Sequence, residues 1–93
     1  MKIEIGINPN CSEAIVHFRV DKLTKEQEDE LFETLKMYVK EYDYETAVFK
    51  SKIFGIKIIT VNGNAPYNDY DGMMGAVKDL NFIDKVKIEM EER

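Results

Sequence analysis

Apolar and polar positions alternate at the start of the chain. Ile3, Ile5 and Ile7 fall on one side of an extended segment, with Lys2, Glu4 and Gly6 on the other. That period of two is the pattern of a half-buried strand over Lys2–Ile7. Asn8-Pro9-Asn10-Cys11-Ser12 is dense in turn formers and ends it. The alternation resumes from Ile15 to Val20, with Val16, Phe18 and Val20 on one face and Ile15, His17 and Arg19 on the other. So short a connection predicts an antiparallel pair.

The period then lengthens. Thr24-Lys25-Glu26-Gln27 has the form of a capping box, in which the Thr hydroxyl and the Gln side chain satisfy each other's backbone amides. Leu31, Phe32, Leu35, Tyr38, Val39 and Tyr42 follow at three- and four-residue spacing, which predicts a helix over 24–42. Glu26, Glu28, Asp29 and Glu30 lie in its first turns, and Lys36 and Lys40 near its end. The helix dipole favours that order, by about 0.3–1 kcal/mol per charge.

β-Formers return after Tyr42. Thr46–Phe49 and Ile53–Val61 are predicted strands flanking a polar tip, Lys50-Ser51-Lys52, with Gly55 a candidate bulge and Asn62-Gly63 the stop. Asn64 to Gly72 reads as a loop, with Pro66 biasing Ala65 toward extended geometry. A second, shorter helix is expected from an N-cap at Asp69 or Asp71, its stripe being Met73, Ala76, Val77 and Leu80. Gly72 and Gly75 each cost it up to about 1 kcal/mol relative to Ala. A final strand, Lys85–Glu91, puts Val86, Ile88 and Met90 on one face. The order ββαββαβ predicts an α+β domain of the ferredoxin-like, split βαβ kind, with two helices on one face of an antiparallel sheet and an extra N-terminal strand.

Length and composition narrow this further. The 93 residues are 44% hydrophobic and 33% charged, the balance of a single globular domain over 1–93. No apolar run reaches the roughly 18 residues of a membrane span. An acid at position 4 interrupts what an export signal would need as an apolar core. Cys11 is the lone cysteine, so no internal disulfide is expected, and a reducing cytoplasm is the natural location. A net charge of −5 and a pI near 4.9 argue against direct nucleic-acid binding, which depends on Lys and Arg neutralising phosphates.

Candidate chemistry is thin. Lys52-Ile53-Phe54-Gly55-Ile56 keeps only Lys52, Phe54 and Gly55 of an RNA-recognition strand motif, and its stacking positions are aliphatic. No phosphate-cradling glycine loop occurs. Cys11 and His17 lack an orienting third group, so no catalytic residue is assigned and the chain is expected not to be an enzyme. Asn68-Asp69-Tyr70-Asp71-Gly72 has part of a calcium loop's composition, but its first ligand position falls on Tyr67 and its last on Lys78. No metal or cofactor is expected.

Two features point to partner binding. Glu26, Asp29, Glu30 and Glu33 lie at i, i+3, i+4 and i+7, which gives the long helix an acidic face suited to a basic partner surface. Tyr67, Asn68, Asp69, Tyr70 and Asp71 combine rigid aromatics with adaptable polar groups, as paratopes do. The expected function is a small acidic protein-binding domain, an inhibitor or adaptor of a larger macromolecule. Phages and mobile elements use such domains as anti-CRISPR or anti-restriction proteins against nucleic-acid enzymes. The alternative is a small-ligand regulatory module with a dimeric sheet. Ile15, Ile59 and Val61 would leave apolar area on the open sheet face and favour a homodimer or a partner there.

Overall fold

Val16, Phe18 and Val20 are buried while Ile15, His17 and Arg19 are half-exposed, so the alternation of the first described strand fixes which side of the sheet is core. The computed structural model describes residues 13–92; the expected strand Lys2–Ile7 and the turn holding Cys11 lie outside the described residues. The elements in order are β1 (Ala14–Arg19), α1 (Lys25–Glu41), β2 (Thr46–Ile53), β3 (Ile56–Gly63), α2 (Ala65–Asn68), α3 (Tyr70–Val77), a 3-10 turn (Ile83–Lys85) and β4 (Lys87–Glu92). The strands form one antiparallel sheet in the order β2-β3-β1-β4, with the three α-helices over one face. The fold is α+β.

Register explains the core. Val16 stands opposite Val61 and Phe18 opposite Ile59, and these four side chains meet Leu31, Leu35 and Tyr38 of α1 and Met73 and Val77 of α3. Fully burying one such side chain contributes about 1.5–3 kcal/mol. The alternation in β3 puts Ile59 and Val61 on this helix side, whereas the sequence reading had placed them on the open face. Four successive β-formers, Ile58 to Val61, conceal the phase of that strand.

Helix α1 begins as expected: the Gln27 amide donates to Thr24 Oγ1 at 3.1 Å and the Thr24 amide to Gln27 Oε1 at 3.0 Å. It ends in a Schellman motif. The Asp43 amide donates to the Lys40 carbonyl and the Tyr44 amide to the Val39 carbonyl, with Asp43 left-handed at φ 56. That reversal folds Tyr44 back beside Tyr38.

Three local expectations are corrected. The hairpin tip is Phe54-Gly55, not Lys50-Ser51-Lys52. Both residues have positive φ, 51 and 79, as a two-residue type I′ turn requires, so Gly55 is a turn residue and not a bulge. Lys50 lies on the helix side of β2, where it reaches the Glu28 and Asp29 carboxylates of α1. Asn64–Gly72 is not a loop, since α2 and the first residues of α3 occupy it. Pro66 sits in the first turn of α2, where a missing N–H costs nothing. The Ala65 amide, next to it, donates to Thr46 Oγ1 at 3.0 Å. Finally, α3 ends at Val77, yet Leu80 still packs on the core, and β4 starts only at Lys87 after the 3-10 turn.

Candidate functional site

The acidic face of α1 divides in two. Glu28, one position off the predicted stripe, is buried under the hairpin: Oε2 lies 3.4 Å from Lys50 Nζ and Oε1 3.7 Å from Lys57 Nζ. Asp29 Oδ1 lies 2.7 Å from Lys50 Nζ and 3.1 Å from Lys25 Nζ. The hydrogen bond from Lys50, then that from Lys25, holds the Asp29 carboxyl below the usual carboxylate range, and the Lys50 ammonium is raised in turn, chiefly by Asp29. Lys50 also lies over the Phe32 ring, 4.9 Å from its centroid. Glu26, Glu30 and Glu33 stand in solvent, Glu33 with a loose contact to Lys36 at 4.0 Å. Asp29 thus pins the first turns of α1 to the hairpin, while the other three carboxylates face outward.

The predicted Tyr67–Asp71 group also splits. Tyr67, Asn68 and Asp71 are exposed, whereas Tyr70 packs against the core. Asp69 joins α2 to α3 and faces the end of α1. Its Oδ2 accepts from the Tyr38 hydroxyl at 2.5 Å and from the Tyr44 hydroxyl at 3.0 Å. Those bonds, Tyr38's first, hold the Asp69 carboxyl below its ordinary value; burial, with the Asp69 bond second, pushes the Tyr38 phenol well above its own. Gly72 makes room for the arrangement, since a Cβ there would lie 2.6 Å from Asp69 Cγ. Tyr38, Tyr42 and Tyr44 form a ring cluster with centroids 5.3, 5.5 and 6.2 Å apart. A groove of about 510 Å³ runs beside them between α1 and α3.

A second exposed apolar feature lies on the β2–β3 hairpin. Phe54 is 99% exposed at the hairpin tip, Ile53 is 45% and Phe49 is 43% exposed. Phe49 and Ile53 share the helix-free face with Ile56 and Ile58, an apolar strip along the β2–β3 hairpin, while Ile15 of β1 is set off from it by His17, Thr60 and Asn62. His17 lies on the same face, its Nδ1 hydrogen-bonded to Thr60 Oγ1 at 3.0 Å. Sequence reasoning anticipated an apolar open face but missed this strip. The available signal was the spacing Ile53, Ile56, Ile58 around Phe54-Gly55.

Arg19, Lys22, Lys85 and Lys87 surround a depression of about 240 Å³ at one end of the sheet, with Asp21 among them. Among the described residues, no three His, Cys, Asp or Glu side chains group so as to hold a metal ion, and no helix is long and apolar enough to cross a membrane.

No protein-family model matches the chain, and no curated protein matches it. Among solved structures the chain is similar to "De novo designed protein Foldit4", with a TM-score of 0.60 and 15% identity over 88% of this chain and 94% of that one. Likeness at that identity is one of fold, and it accords with a compact arrangement of helices on a sheet.

Proposed function

We propose that the chain is a non-enzymatic protein-binding domain, an adaptor or inhibitor acting in the cytoplasm, built on the ferredoxin-like, split βαβ arrangement. The strand order β2-β3-β1-β4 with helices on one face supports that topology. One observation carries the functional reading: Phe54 projects fully exposed from a tight turn at a left-handed φ. A bulky residue there is costly to the fold and makes no packing contribution to it. An aromatic side chain so presented has the chemistry of an interface anchor, able to fill an apolar pocket on a partner. Lys50 and Lys57 tie the hairpin to the first turns of α1, so the anchor shares an end of the molecule with Glu26 and Glu30. The partner that fits is a larger protein with an apolar pocket and a basic rim.

The test uses a photo-crosslinking residue at position 54 to identify the partner, followed by binding kinetics of folded variants at two salt concentrations. Phe54→Asn should accelerate dissociation and cost at least about 2 kcal/mol, largely independent of salt. Glu26→Lys with Glu30→Lys should slow association, most at low salt. Unchanged dissociation in Phe54→Asn would overturn the assignment.

The apolar strip favours a second reading, in which two copies pack open face to open face. Sedimentation at micromolar concentration separates the two: a dimer abolished by Phe49→Lys supports self-association, and a monomer removes it.

A further inference from the structure

The groove between α1 and α3 has a chemistry of its own. Its walls include the rings of Tyr38 and Tyr42, the thioether of Met37 and the carboxylates of Glu41 and Asp69, with no cationic side chain in its lining among the described residues. Met37 is 68% and Tyr42 59% exposed, apolar area that the core does not use. A Cβ on Gly75 would meet nothing within 4 Å, so the α3 side is open. Asp69 is answered by two neutral hydroxyls and by no ammonium or guanidinium within ion-pair distance among the described residues.

We infer that this groove receives one basic side chain, an arginine or lysine of the protein partner, between the Tyr42 ring and the Glu41 and Asp69 carboxylates. This deepens the protein-binding reading above and rests on it. An anion would be repelled, and a purely apolar plug would desolvate two carboxylates without pairing them. A cation meets the ring faces and the carboxylates together, and its methylene stem lies along Met37. The groove is too open to enclose a small free amine, which favours a side chain carried on a larger surface. Tyr38 lies ten residues beyond Glu28, about 15 Å along α1, so groove and hairpin tip are separate contacts.

The chain has no Trp and five Tyr, three of them in this cluster, so tyrosine fluorescence reports on the site directly. The probes are the capped tripeptide Ala-Arg-Ala, the same peptide with neutral citrulline for Arg, and the free amine agmatine. The Arg peptide should bind saturably and shift the amide resonances of residues 37–42 and 72–76. Citrulline should weaken binding about 3- to 30-fold, and so should Tyr42→Ala, while Phe54→Asn leaves it unchanged. Glu41→Gln, at an exposed helix end, serves as the second variant should Tyr42→Ala fold poorly, and should also weaken binding. Equal binding of the Arg and citrulline peptides, shifts centred on Glu26–Glu33, or tighter binding of agmatine than of the Arg peptide would each overturn the inference. Partner binding lost in Phe54→Asn with no peptide binding would overturn it alone and leave the hairpin anchor standing.

Discussion

Replacing Phe54 with Asn should stabilise the fold while removing its partner anchor. Phe54 holds φ 51 with its side chain 99% exposed, so substitution forfeits almost no packing. A left-handed backbone costs an ordinary L residue about 1–2 kcal/mol, and Asn, whose side chain can hydrogen-bond locally, recovers part of it. Asn-Gly is also the preferred pair of a two-residue type I′ hairpin turn. The expected gain is about 0.5–1 kcal/mol, which for a domain of this size raises Tm by roughly 2–8 °C. Urea unfolding followed by tyrosine fluorescence and far-ultraviolet circular dichroism measures it. The midpoint should rise with the slope unchanged, because the surface exposed on unfolding is nearly the same. A midpoint equal to or below that of the parent would mean that the aromatic ring contributes to the folded state, and the argument for an anchor presented at the fold's expense would fail.

The two glycines of α3 should respond in opposite ways to Ala. Gly75→Ala, into open space, should stabilise by up to about 1 kcal/mol, while Gly72→Ala should displace the Asp69 carboxylate and cost about 2 kcal/mol through the lost tyrosine bonds, both read by urea midpoints. Acid should unfold the protein partly through Asp69. Its folded pKa lies below the unfolded value near 3.8, so its contribution is complete above that value and is lost as pH falls through the folded one. Tyr38→Phe combined with Tyr44→Phe should therefore flatten the acid limb of a stability–pH profile, and an unchanged limb would contradict the assignment. Asp43→Gly, at the left-handed position ending α1, should raise Tm by a few degrees for about 0.5 kcal/mol.

What was legible in the chain followed the range of the forces involved. The Thr24–Gln27 box and the stripe from Leu31 to Tyr42 are satisfied within a few residues of themselves, so α1 was readable, and β1 equally so from its strict alternation. Lys50-Ser51-Lys52 misled because three polar residues between apolar ones read as a turn. The place of Lys50 within the strand is explained by Glu28 and Asp29, more than twenty positions away. Pro66 suggested an extended Ala65, yet Ala65 opens α2 and Pro66 serves in its first turn. The Asp69 contacts to Tyr38 and Tyr44 span 31 and 25 residues, and no local pattern announces them. Of the predicted acidic face, three carboxylates do point outward, but which of the four the fold would claim depended on where the hairpin crossed α1.

The sheet order has a further consequence for behaviour at high concentration. Among the described residues, β2 has a strand neighbour on one side only, and its eight residues carry Val48, Phe49 and Ile53. A long edge of this kind is a template on which another chain can add a strand and nucleate aggregation. Lysines on an edge oppose that, because an added strand would have to strip water from them. Lys50 is already drawn toward Asp29, so Lys52 is the charge that an incoming strand would have to desolvate. Its loss should leave the monomer's stability almost untouched and turn the hairpin edge into a seed for edge-to-edge strand addition.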